Sequence, residues 1–393
     1  MKNSDLLYKY TKDKKFKKSN GNIKYIDIHD DEITSKTLNY IAMRFKDFTR
    51  YRLMPYTIVL RMVSLIFADK ICYLMLDELI YSLFKKTNFE LHIMLTKDCE
   101  IGPSEYWKSL GIQNTAFIKT RQRTHSTHID RKIFFEEYGN KVINTNTYKV
   151  LISSEEIKED SYIESKIFSN VHDTMSFPNN TQNHNLDDFI STISESVAEL
   201  VCNVGCHTDA DCLIDINFGI EKNEDVKFFW TSIAIINFSE NRLFDKIRYN
   251  IDNKIYSPEN TVYSNIYKAF ENHKKSFDEK YKPEHFFMIT AFQNHVSTRD
   301  TSCSTSGGTG LTTLIKNIIG RAEQDYSYVL SGNQLILFEN SFLDIEDNNF
   351  IGFNKEKNFI DYPPEKGILS ESLLYVPGTV YNLFLIKEID ENV

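Results

Sequence analysis

The chain has 393 residues, 41% hydrophobic and 13% aromatic, enough for a sizeable core in two or three domains, and this excludes wholesale disorder. Its 46 basic and 55 acidic side chains leave a net charge of −9, so nucleic acid is not expected as a general ligand. Six cysteines at 72, 99, 202, 206, 212 and 303 form no CxxC pair, which points to a reducing, cytoplasmic setting.

Residues 1–20 are lysine-rich without an apolar stretch and read as a flexible basic arm, not a secretory signal. Residues 23–28 alternate like a strand, and 32–44 read as a helix. Two further amphipathic helices are expected at 56–67 and 71–84, and another strand at 89–95. The apolar region 53–84 is interrupted by Arg61, Asp69, Lys70, Asp77 and Glu78, so no membrane span is expected. Residues 115–168 are mixed, and Arg121, Arg123, His125, His128, Arg131 and Lys132 read as a solvated or partner-facing basic surface. Residues 21–175 are taken together as an α/β sensor or partner-binding domain, whose strand–helix–strand order resembles STAS modules in order alone.

Residues 176–188 are polar and proline-marked, which predicts a linker with Asn185 as the N-cap of the next helix. That helix, 185–207, carries Glu199, Asn203 and His207 on one face. Ile193, Val197, Leu200, Val201 and Val204 cluster on the adjoining face. Strands at 212–218 and 226–237 follow, joined by a polar loop at 219–225. Helices are expected at 261–277 and 283–292, then a hydroxyl-rich loop at 297–305. A glycine turn, Ser306-Gly307-Gly308-Thr309-Gly310-Leu311, leads into a helix at 311–321, with strands at 328–331, 334–339 and 380–386. This order predicts a layered sandwich with helices over one face of a mixed sheet. Cys202, Cys206, His207 and Cys212 crowd one region, but their spacing fits no standard zinc pattern and buried thiols are expected instead.

Three of these motifs carry a family resemblance. Glu199-Leu200-Val201-Cys202-Asn203 resembles the N box of the GHKL ATP-binding fold found in gyrase, mismatch-repair ATPases, heat-shock chaperones, histidine kinases and anti-sigma serine kinases. Gly308-Thr309-Gly310-Leu311 resembles its GxGL box, and Pro377-Gly378-Thr379 its terminal Gly-Thr. The resemblance implies an α+β fold class: a two-layer GHKL sandwich over 189–393, preceded by the α/β N-terminal domain. It implies ATP and Mg²⁺ as cofactors, with Asn203 holding the metal and Glu199 activating the attacking water. Ser306, Gly307, Gly308, Thr309, Gly310 and Leu311 would cradle the phosphates, Arg299 would reach them from a lid, and Thr379 would lie beside the adenine.

One departure stands out. The family carries Asp-x-Gly-x-Gly after the second strand, with the aspartate accepting from the adenine amine. Here the stretch is Ile236-Asn237-Phe238-Ser239-Glu240-Asn241, so Asn237 occupies the aspartate's place and the glycines are missing. The expected activity is Mg-dependent ATP hydrolysis coupled to the N-terminal domain and to a protein partner or a second copy, in bacterial signalling or phage defence. A histidine or anti-sigma type kinase and a non-hydrolysing ATP switch are the alternatives. The histidine-kinase reading would need His172-Asp173 on a dimerising helix, and the polar, proline-containing surroundings argue against a helix there.

Overall fold

In a computed structural model of the protein, the described residues are 23–49, 56–95, 111–176, 184–223, 226–296, 311, 312, 314, 315, 321, 327–344 and 350–389. The expected arm and most of the expected linker lie outside them. Strands β1 (Ile23–Ile28), β2 (Thr57–Met62) and β3 (Glu90–Leu95) form a parallel sheet in that order. Ile23 lies opposite Thr57, and Thr57 opposite Glu90. Helices α1 (Ser35–Thr49) and α2 (Lys70–Lys86) make the two crossovers. β2 replaces the helix expected at 56–67. Thr57, Ile58 and Val59 are β-branched, and a short buried apolar run cannot be told from a helix by periodicity alone.

Every residue of α2 from Lys70 to Phe84 is buried. A helix without a solvent face must be covered on both sides, and here a second sheet supplies the other cover. Asp69 caps its start, accepting from Cys72 N–H at 2.9 Å, and also accepts from the Tyr328 hydroxyl at 2.6 Å. Asp77 reaches from mid-helix to the start of α3 (Ala116–Thr124) and accepts from Ala116 and Phe117 N–H at 2.7 and 3.0 Å. A carboxylate there satisfies helix-end donors and meets the positive end of the dipole.

In α4 (Arg131–Gly139), Arg131 donates to the carbonyls of Phe84, Thr87 and Phe89 at 2.8, 2.7 and 3.2 Å. Arg123 pairs with Glu136 and Glu137. Arg123, His125 and Lys132 are exposed, as a solvated surface requires, whereas Arg131 clamps the turn between α2 and β3, because its planar fork suits adjacent carbonyls.

The second sheet has the order β4-β5-β6-β7-β9-β8, with every neighbouring pair antiparallel. Its strands are β4 (Val142–Asn144), β5 (Thr147–Ile152), β6 (Cys212–Asn223), β7 (Val226–Asn237), β8 (Tyr328–Leu337) and β9 (Leu369–Ile389). The expected mixed sheet is thus antiparallel throughout, since each sequential pair joins by a hairpin or returns from the far end. β4 and β5, from the stretch read as part of the N-terminal domain, are its first two strands. β6 runs on to Asn223 through the stretch expected as a loop.

Leu213, Ala234, Ile236, Tyr328, Leu330 and Val380 on one face share a core with α1 and α2. Ile214, Ile216, Ile233, Ile235, Tyr381 and Leu383 on the other share a core with six helices. These are α5 (Ser154–Glu159), α6 (Ile163–Ser176), α7 (His184–His207), α8 (Asp245–Asp252), α9 (Thr261–His273) and α10 (Pro283–Thr290). The chain is therefore mixed α/β, layered sheet–helix–sheet–helix, and the antiparallel sheet is covered on both faces rather than one. Asn185 lies inside α7, which starts at His184, and not at its cap.

Candidate functional site

Strand alternation fixes which residues meet α7. Ile233 and Ile235 of β7 face it, so Asn237, two residues on, faces it as well. Cys212, Asn237 and Thr379 are directly opposed across β6, β7 and β9, which sets all three on this face at one end of the sheet. α7 packs on this face of the sheet with Val197, Ala198, Leu200, Val201 and Val204 buried. Glu199 and Asn203 flank that face, half-buried and one helical turn apart. A carboxylate and a carboxamide at the border of a core are held at fixed positions yet reachable. Burial pushes the Cys212 and Tyr381 side chains well above their usual range, so both stay neutral and act as packing.

Asn237 and Thr379 form the best-defined part of the site. Asn237 Oδ1 accepts from Ser239 N–H at 2.9 Å, a local turn that ends β7. Gly378 has φ +82°, and a Cβ added to it would lie 2.0 Å from the Asn237 carbonyl oxygen. Only glycine fits there. Pro377-Gly378 is consequently a kink inside the long β9 rather than a turn entering the last strand. The Ser331 hydroxyl donates to the Gly378 carbonyl at 2.5 Å and accepts from Leu243 N–H at 2.9 Å, fixing the kink from β8. Ser239 and Ser331 were not singled out from the sequence. An Asn-x-Ser at a strand end was a usable turn signal for Ser239; nothing local marked Ser331.

Arg299, Ser306, Gly307, Gly308, Thr309 and Gly310 lie outside the described residues. Leu311 is described and half-buried, at the start of a helical stretch that includes Leu314 and Ile315. The Thr312 hydroxyl donates to the Phe292 carbonyl at 2.9 Å, which ties this stretch to the turn after α10. Leu314 lines a narrow apolar crevice with Ile193, Ser196, Val197, Leu200 and Leu383. Leu314, three residues beyond Leu311, is thereby brought beside α7. None of the expected site residues lines the crevice, whose apolar walls suit side-chain packing rather than a charged ligand.

His172 lies on helix α6, contrary to the reading of its surroundings as non-helical; it stacks on Phe168 at 5.7 Å and approaches Asp187 at 3.5 Å. Packing against α7 stabilises a helix there that local composition did not favour. Among the described residues no three His, Cys, Asp or Glu side chains gather as metal ligands. Cys72, Cys202 and Cys212 are free thiols. Also among the described residues, no helix is long and apolar enough to cross a membrane.

On the opposite face of the sheet a buried polar group joins the two halves. Lys70 of α2 donates to the carbonyls of Asp215 and Ser232 at 3.0 and 2.9 Å, and its Nζ lies 2.8 Å from Asp215 Oδ1. The carboxylate oxygens make no directed hydrogen bond, so charge rather than bond geometry pairs them. Burial raises Asp77 to about 6 and Glu78 to about 8, the latter beneath the Tyr138 hydroxyl that donates to it. No family model, curated protein or solved structure matches this chain.

Proposed function

We propose that the C-terminal half binds and hydrolyses ATP with Mg²⁺, as the ATPases it resembles do, and that the N-terminal half regulates it. One observation carries the reading. Asn237 and Thr379, expected at the base, are neighbours across two strands, on the face covered by the helix that bears Glu199 and Asn203. The order of helix, hairpin, helices and two further antiparallel strands, and the placing of β9 between β7 and β8, support it further. Asn203 offers a neutral oxygen donor of the kind a hard cation accepts alongside phosphate oxygens. When bound, Mg²⁺ would neutralise charge developing on the phosphates. Glu199 would hold and deprotonate water, and the helix starting near Leu311 would turn its positive end to the phosphates.

A non-hydrolysing switch has a specific observation in its favour: the glycines of the adenine box are absent and Asn237 is tied into a local turn. Phosphate release from the full chain with Mg·ATP separates the readings. Release that Glu199→Ala abolishes, with nucleotide binding kept, supports hydrolysis. Binding without release supports the switch, and label transferred to protein supports a kinase. Binding and turnover unaffected by either Glu199→Ala or Asn203→Ala would refute the site.

A further inference from the structure

We infer that His92 and His128 together hold a divalent first-row transition cation, such as Ni²⁺, Cu²⁺ or Zn²⁺, at the outer edge of the parallel sheet. His92 belongs to β3, the last strand in the order β1-β2-β3. Its neighbours Leu91 and Ile93 point into the core with Ile58 and Leu60. By alternation His92 points to the other face, in one row with Tyr25 and Val59. Tyr25 is exposed and His92 half-buried, so a cation can reach this face from solvent.

The segment 127–129, which follows α3, runs antiparallel along β3. Ile93 N–H donates to the Thr127 carbonyl and Ile129 N–H to the Leu91 carbonyl, each at 2.8 Å. Between these bonds His92 and His128 face each other as a non-hydrogen-bonded pair. Such a pair brings its Cα atoms to about 4.5 Å and sets both side chains on one face. The ring centroids are 5.1 Å apart with planes inclined by 44°, close without stacking. Two imidazoles bonded at about 2.0–2.1 Å to one tetrahedral ion have their centroids about 5 Å apart, so the rings already stand at chelating distance. His92 Nδ1 lies 3.2 Å from the Thr127 hydroxyl. With Nδ1–H donating there, the ring is oriented and the Nε2 lone pair is left for a metal, as is usual for ligating histidines.

Among the described residues no third His, Cys, Asp or Glu joins the pair. The remaining positions therefore fall to water, and the ion is exchangeable, unlike a closed four-ligand structural zinc. Imidazole nitrogen suits these cations, whereas Mg²⁺ and Ca²⁺ prefer oxygen. An ion on both rings staples β3 to the segment beyond α3.

The test is calorimetric titration of the untagged full chain with Ni²⁺ alone, without nucleotide, and thermal melts in parallel. A single equivalent is expected to bind and to raise the melting temperature as Ni²⁺ increases, with excess Mg²⁺ changing neither. His92→Gln and His128→Gln should each lose that equivalent, and the double variant should lose no more than either alone, because both rings act as one unit. His125→Gln, at an exposed histidine close by in sequence, should retain it. No binding by the wild type, or an equivalent that survives either His92→Gln or His128→Gln, overturns the inference. Melts in chelator establish that the variants fold; should one fail, the other decides. Neither outcome bears on Glu199 or Asn203, so the nucleotide reading is tested separately.

Discussion

Lys70 Nζ stands 2.8 Å from Asp215 Oδ1, with side-chain exposures of 2% and 0%, so one buried ion pair fastens the central helix of the N-terminal half to the sheet of the C-terminal half. Burial holds the lysine below its usual range even with the carboxylate beside it. Removing either partner strands the other charge in a dry interior. Lys70→Met and Asp215→Leu should each cost about 3–5 kcal/mol. The double replacement Lys70→Met with Asp215→Leu should cost much less than the sum. Urea unfolding of the four proteins measures this; strictly additive losses would show that the pair is not coupled.

Glu78 titrates in the folded chain at about 8, against an ordinary value of 4.5. The folded chain therefore holds a proton the unfolded chain lacks between those values. Its stabilising contribution is fully present below about 4.5 and is lost as pH rises through about 8. Glu78→Gln, which mimics the neutral acid and still accepts from Tyr138, should flatten the fall in urea midpoint between these limits. A pH dependence in Glu78→Gln identical to that of the wild type over this window contradicts the assignment.

His273 shifts the other way. Its ring, 1% exposed, is bonded to the Tyr281 hydroxyl and the Phe359 carbonyl, and burial lowers it to about 4. The unfolded chain then binds the extra proton, so this contribution is intact above about 6.5 and disappears as pH falls through about 4. NMR titration of the ring should show it neutral at pH 6; a charged ring at that pH would overturn the prediction.

Gly378→Ala tests the kink that seats Thr379 against Asn237. A methyl group would meet the Asn237 carbonyl oxygen at a backbone φ of +82°, so a loss of more than about 2 kcal/mol is expected. Gly367→Ala provides the contrast, because nothing lies within 4 Å of its added Cβ. Equal effects of the two substitutions in thermal melts would remove the argument for crowding.

Glu199→Gln should lower phosphate release by about 100-fold or more, the range general-base removal covers, with nucleotide affinity nearly unchanged. Asn203→Ala should instead weaken binding in Mg²⁺ and have little effect in its absence. Binding measured with and without the metal checks both, and an unchanged metal dependence in Asn203→Ala would free that residue of its assigned role.

Much of this architecture could be read locally. Long helices with a steady apolar stripe, 71–84 and 185–207 among them, were evident because a 3.6-residue period needs no knowledge of the partner. The strands of β6 and β7 were evident for the same reason at period two. The errors fell where the decisive neighbour was distant in sequence. Thr57–Met62 became a strand because β1 and β3 flank it, and α6 formed because α7 packs on it.

By itself the sequence determined the candidate motifs and their order along the chain, since these depend on residue identity and spacing. Tertiary structure decided the rest. Strand register set Asn237 opposite Thr379, and the Ser239 N–H ties the Asn237 oxygen into the turn that ends β7. The second cover of the antiparallel sheet, and with it the burial of Lys70 against Asp215, came from packing between segments some 145 residues apart. Hydrogen-bond direction and burial belong to pairs of atoms brought together by the fold, and no pattern within one segment encodes them.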